Sequence, residues 1–121
     1  MNWTFKEGVP IYSQLIEHIK SAIVGGEFQP GQQIPPVREL AVDAGVNPNT
    51  MQRALAELER EGLLYSVRTT GRFVTEDGEV LSALRKSLSS SYINELFTNL
   101  NKMGLTDEEI ILAVQQWKKG E

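Results

Sequence analysis

Gly45-Val46-Asn47-Pro48-Asn49-Thr50-Met51-Gln52-Arg53-Ala54-Leu55 is the stretch that decides the fold. Gly45 suits the left-handed conformation that ends a helix. Val46 packs the following turn into a core. Asn47 is a strong N-cap, because its side-chain oxygen accepts from the backbone N–H at N2 or N3. Pro48 fits N1, where its missing N–H is no loss. A helix started there carries Met51, Ala54, Leu55 and Leu58 on one side at helical spacing, and Asn49, Gln52 and Arg53 on the other. No acid occurs from Ala44 to Ala56. Carboxamide and guanidinium groups match adenine and guanine edges in a DNA major groove. Taken alone, the stretch fits a helix–turn–helix pair inside an ordinary globular core equally well.

The residues that follow break the tie. Gly62 stops the helix, Leu63-Leu64-Tyr65-Ser66-Val67 is β-prone, Arg68-Thr69-Thr70-Gly71-Arg72 is a polar turn, and Phe73-Val74-Thr75 is β-prone again. The pattern predicts a hairpin with Arg68 and Arg72 near its tip, and Gly62 to Thr75 contains no acid. A helix–turn–helix followed by such a hairpin is a winged helix. Its wing sets arginines beside the recognition helix, where a phosphate or the minor groove would lie. Upstream, the segment from Ile34 to Ala41 is expected to open the first helix of the motif. Pro36 stands at its start, Val37, Leu40, Ala41 and Ala44 form the buried stripe, and Arg38 points outward.

These spaced positions carry a resemblance. Pro30-Gly31, Ile34-Pro35, Arg38, Leu40-Ala41, Gly45-Val46, Thr50, Ala54-Leu55, Leu58, Gly62-Leu63, Gly71 and Phe73-Val74 together resemble the GntR family of bacterial transcription regulators. The likeness runs from Val9 to Thr75, over half the chain. Asn47-Pro48-Asn49-Thr50 and the short tail resemble the YtrA-type subfamily. The resemblance implies a dimerising helical tail without a large effector-binding domain, and nearby transporter operons as a target class. Two departures stand out. Many relatives carry arginine at the positions of Pro48 and Gln52, whereas here the basic residue is Arg53. The family wing usually has a Gly-x-Gly pattern, whereas here its first position is Thr69 and only Gly71 matches. A stiffer wing, or a less close approach to the DNA backbone, is the expected consequence.

Composition bounds the remaining functions. The 121 residues allow one compact domain and a helical appendage. There is no cysteine, so neither a disulfide framework nor a thiolate metal site can form. No apolar run approaches the roughly 20 residues that span a bilayer, and the first residues lack the pattern of a signal peptide. A cytoplasmic protein without cofactor, metal or membrane partner is expected. The net charge of −4 argues mildly against nucleic acid. What matters, however, is the face shown to phosphate. Arg38, Arg53, Arg68 and Arg72 can converge there, while Glu57, Glu59 and Glu61 fall toward the far end of the helix.

The first helix is expected from Pro10 to Val24, with Ile11, Tyr12, Leu15, Ile16, Ile19 and Ile23 on its apolar face and Gly25-Gly26 at its end. His18, the lone histidine, reads as a core-edge residue rather than a metal ligand. Trp3 and Phe5 read as packing residues or a short strand. Thr75 to Glu79 reads as a boundary between a winged helix over residues 1–77 and a helical tail over residues 78–121. In the tail Leu81, Leu84, Leu88, Tyr92, Leu96, Leu100 and Met103 recur every three or four residues, with Ile93 and Phe97 as a second edge. This predicts a long amphipathic helix ended by Gly104, with a kink at Ser89-Ser90-Ser91. Thr106 and Glu109 then form a capping box, Leu105 and Ile110 a hydrophobic staple. Ile110, Ile111, Val114 and Trp117 form the last apolar face.

Two helices cannot bury that much apolar surface on each other, so a second subunit is expected. The fold class is mainly α with a small β-hairpin: a winged helix-turn-helix and a two-helix dimerisation region. The function expected is a homodimeric, sequence-specific DNA-binding regulator, a repressor acting on an inverted-repeat operator. Arg38, Asn49, Thr50, Gln52 and Arg53 are the candidates for the major groove and its phosphates. The Thr50 hydroxyl serves either a phosphate or the helix start. Arg68, Thr70, Gly71 and Arg72 are the candidates in the wing. Leu81, Leu84, Leu88, Tyr92, Leu96, Leu100 and Trp117 are the candidates for the dimer interface. A winged helix used as a protein-interaction module is the rival reading. An enzyme has little support, since the chain offers no nucleophile–base set, metal cluster or phosphate loop.

Overall fold

The computed structural model describes residues 1–120. Five helices and one hairpin follow in order: α1 (Ile11–Val24), α2 (Val37–Ala44), α3 (Pro48–Arg60), β1 (Leu64–Val67), β2 (Gly71–Val74), α4 (Gly78–Lys102) and α5 (Asp107–Lys118). The architecture is mainly α with a small β-hairpin. Gly45 ends α2 in the left-handed conformation, at φ 71° and ψ 35°. Asn47 caps α3, its Oδ1 accepting from the Asn49 amide at 2.7 Å, and Pro48 takes N1.

By packing, residues from Met1 to Arg85 form one unit, and those from Lys86 onward form another. In the first, α3 packs on α1 and α2, and β1 lies against α3. Leu15, Ile19, Met51, Leu55, Leu58, Leu64 and Val74 are fully buried. Each such side chain contributes roughly 1.5–3 kcal/mol through removal from water. The hairpin is antiparallel, pairing Leu64 with Val74 and Val67 with Gly71.

The segment before α2 departs from expectation. Pro36 stands at the start of α2 as expected, with Val37 the first helical residue, while Ile34 lies outside the helix. Pro35 and Pro36 keep the residues before them extended. Residues 31–34 instead pair with the free edge of β2. Gly31 N donates to Val74 O at 2.8 Å, Val74 N to Gln32 O at 2.9 Å, and Ile34 N to Arg72 O at 3.0 Å. Gln33 and Phe73 form an antiparallel bridge. The wing is thereby held by main-chain bonds on both sides of β2.

The N-terminal residues form no strand. Trp3, Phe5 and His18 make an aromatic cluster, and His18 Nε2 lies 2.7 Å from Thr4 O. Gln14 is buried on α1. Its Oε1 accepts from Lys6 N at 2.7 Å, while its Nε2 donates to Lys6 O at 3.0 Å and Val9 O at 2.9 Å.

Helix α4 runs through Ser89–Ser91 without interruption. Ser89 Oγ donates to Lys86 O at 3.0 Å, which satisfies the hydroxyl within the helix. The capping box of α5 is complete: Glu109 N donates to Thr106 Oγ1 at 3.2 Å, and Thr106 N to Glu109 Oε1 at 2.9 Å. Ile110 is fully buried. No helix among the described residues is long and apolar enough to cross a membrane.

Candidate nucleic-acid interface

The outer face of α3 is built by helical spacing. With Met51, Ala54, Leu55 and Leu58 buried, Asn49, Gln52, Arg53 and Ala56 are left exposed. Tyr12 of α1 borders this face on one side, its ring centroid 4.7 Å from the guanidinium carbon of Arg53. The wing borders it on the other, where Arg72 Nη1 donates to Gln52 Oε1 at 3.3 Å. Thr50 is half-buried at the helix start, and its amide donates to Asn47 O at 3.0 Å.

The wing turn answers the missing glycine. Thr69 has φ 65°, so a threonine adopts the left-handed conformation at the first wing position. Its hydroxyl donates to Arg68 O at 2.6 Å, and Thr70 N closes the turn on Val67 O at 3.0 Å. Gly71 has φ 138°, and a Cβ there would stand 2.8 Å from Gln33 Nε2, which itself donates to Thr70 O at 2.8 Å. Gln33, Pro35, Pro36, Thr70, Gly71 and Arg72 line a cleft of about 230 Å³ between the wing and the start of α2.

The charges sort by position. Arg38 and Arg68 are exposed and have no ion-pair partner among the described residues. The acids at the far end of α3 each meet a cation. Glu61 pairs with Lys20 at 3.0 Å, Glu59 lies 3.5 Å from Arg72 Nε, and Glu57 accepts from Arg60. The Arg60 hydrogen bond holds the Glu57 carboxyl below its usual 4.5. The net negative charge of the chain is therefore not presented by the outer face of α3 near its N-terminus. Arg72 differs from the other wing arginine. Its side chain is only 18% exposed, turned against α3 between Gln52 and Glu59.

In the tail, the residues expected at a subunit interface divide. Leu84 is already buried within its own chain, and Leu81, Leu88 and Leu100 are half-buried. Tyr92, Leu96 and Trp117 are exposed, as are Ile93, Met103, Ile111, Leu112 and Val114. Among the described residues no group of His, Cys, Asp and Glu is placed to hold a metal ion.

A capped recognition helix, a preceding helix ended by glycine, and a β-wing packed beside them define a winged helix-turn-helix DNA-binding domain. The profile of the "Bacterial regulatory proteins, gntR family" matches residues 11–74. The chain belongs to that family and is a transcription regulator. It is 33% identical over 120 residues to the uncharacterized HTH-type transcriptional regulator YhcF of Bacillus subtilis strain 168, covering 99% of each chain. It is 31% identical over 106 residues to the HTH-type transcriptional repressor YtrA of the same organism, covering 87% of this chain and 82% of the relative. The structure is similar to that of a GntR family transcriptional regulator from Listeria monocytogenes, with a TM-score of 0.83 and 37% identity, covering 93% of this chain and 98% of that one.

Sequence reading missed three features of the site: the inward turn of Arg72, the Tyr12 platform under Arg53, and the pairing of residues 31–34 with the wing. Tyr12 carried a signal, as the one aromatic among the aliphatic residues of the α1 face.

Proposed function

We propose that the chain is a sequence-specific repressor that binds an inverted-repeat operator as a homodimer and blocks promoter access by occupancy. The observation that carries this reading is the composition of one surface. Asn49, Gln52 and Arg53 stand exposed on α3, Arg38 and Arg68 have no ion pair among the described residues, and the acids at the far end of the helix are paired. Asn49 and Arg53 read bases in the major groove, and Arg38 and Arg68 neutralise phosphate. The wing main chain at Thr70 and Gly71 approaches the adjacent backbone. YtrA is named a repressor, and likeness to it supports the same sign of control. A transporter operon is the target class that this likeness favours.

The dimer rests on the tail. Ile93, Leu96, Met103, Ile111, Leu112, Val114 and Trp117 are each between 40% and 76% exposed. Apolar side chains in that number on α4, α5 and the turn between them fit a surface covered by a second subunit. The interface then centres on Leu96 and Trp117 and does not use Leu84. Selection of duplexes from a random pool tests the whole reading. An enriched inverted repeat, bound with a steep loss of affinity as salt rises, is the expected result. Recovery of no sequence and salt-insensitive binding would instead favour a protein-interaction module.

A further inference from the structure

Arg72 occupies a place in the wing that a phosphate-binding arginine would not need. Its Nη1 donates to Gln52 Oε1 at 3.3 Å, across 20 residues of sequence. Its Nε lies 3.5 Å from Glu59 Oε1, at ion-pair distance but without hydrogen-bond alignment. Ser66 Oγ donates to the same Glu59 oxygen from β1. The guanidinium is thus screened from outside charge by Glu59 and held over α3 by the wing. Main-chain bonds on both sides of β2 fix the strand that carries it.

The chemistry of this contact is one-sided. A guanidinium offers only donors, so the Gln52 atom facing it must be the carbonyl oxygen. The Gln52 NH2 group then points away from Arg72 and has no partner among the described residues. An unrestrained glutamine turns either way. Bidentate recognition of adenine uses both ends, with the oxygen accepting from N6 and the NH2 donating to N7. The oxygen keeps a second lone pair, so both ends can still face a base, but only in the one orientation that Arg72 sets. We infer that Arg72 is a positioning residue that fixes the Gln52 carboxamide in one orientation, so that the discrimination Gln52 exerts at its base pair depends on Arg72.

This inference rests on the DNA-binding reading, and the test separates the two. The probe is the duplex selected by the wild-type chain, with each base pair of one half-site replaced in turn. Gln52→Met should lose roughly five- to tenfold discrimination at one base pair of the half-site. Arg72→Met should lose discrimination at that same base pair, leave the salt slope unchanged, and add nothing in the Gln52→Met background. Arg72→Lys, which keeps the charge and the apolar stem, guards against a folding defect and should retain part of the discrimination. Melting curves of each variant accompany the titrations. Loss of discrimination at a different base pair in Arg72→Met overturns the inference. So does a uniform loss across the panel with the salt slope falling by about one unit, which marks a phosphate contact. An unchanged panel, or an Arg72→Met effect that persists without Gln52, overturns it as well. In all these cases the DNA-binding reading stands. A wild-type chain that selects no sequence removes both.

Discussion

The guanidinium of Arg53 lies over the ring of Tyr12, 4.7 Å from its centroid, so the recognition helix and α1 share a contact at the edge of the exposed face. A cation–π pair at an exposed site contributes about 0.5–1 kcal/mol. Its larger consequence is orientation, since a stacked guanidinium keeps its planar fork at a fixed edge. Arg53→Ala and Asn49→Ala should each cost operator binding ~1–3 kcal/mol, and non-specific binding far less. Tyr12→Leu should weaken operator binding by a smaller amount and leave the fold intact. Equilibrium titration on operator and scrambled duplexes checks this. Wild-type operator affinity in both Asn49→Ala and Arg53→Ala would mean that another face of α3 meets the bases.

The two wing arginines should behave differently. Arg68 is exposed and without an ion pair among the described residues, whereas Arg72 faces Gln52 and Glu59. Arg68→Ala should lower affinity across sequences and reduce the slope of log K against log salt by about one unit. Arg38→Ala should do the same from the start of α2. The salt slopes of the two variants, measured on one duplex, decide the matter. Unchanged slopes in both would remove phosphate contact from this surface.

Thr69 holds φ 65° where relatives usually have glycine. A left-handed conformation costs a residue with a Cβ roughly 1–2 kcal/mol. Glycine returns about 0.5–1 kcal/mol of that through its freer unfolded chain. Thr69→Gly should therefore stabilise the protein by up to about 1 kcal/mol in urea unfolding. It should also loosen the wing. A loss of stability would show that the Thr69 hydroxyl bond to Arg68 O outweighs the backbone cost.

Gln14 is the buried polar group that ties the N-terminal residues to α1. Replacing it with methionine keeps the volume but strands its main-chain partners Lys6 N, Lys6 O and Val9 O. The expected cost is about 1–3 kcal/mol, seen as a lower urea midpoint with an unchanged slope. An unchanged midpoint would mean that water replaces the carboxamide without loss.

What the sequence made legible follows from where each signal lies. Gly45, Asn47, Pro48, Thr106 and Glu109 act through their own backbone neighbourhood, and each occupies the turn or cap that its chemistry requires. The core of α3 was legible because helical periodicity alone separates Met51, Ala54, Leu55 and Leu58 from the outer face. The pairing of residues 31–34 with β2 was not, because it uses main-chain groups that any sequence supplies. The expected kink at Ser89–Ser91 does not interrupt α4, since a serine hydroxyl can bond back within the helix. Arg72 reads as one more wing cation in the sequence. Only the fold brings Gln52 and Glu59 to it, from 20 and 13 positions earlier in the chain.

Sedimentation of the full chain, alone and on its selected duplex, tests the central claim most directly. The account predicts a dimer at micromolar concentration and two chains per inverted repeat. The half-sites should lie about one DNA turn apart or a multiple of it. Leu96→Asp combined with Trp117→Asp should give monomers that bind the same duplex weakly, because the second contact loses its high effective concentration. A wild-type chain that remains monomeric at that concentration and binds a single non-repeated site tightly would contradict the account.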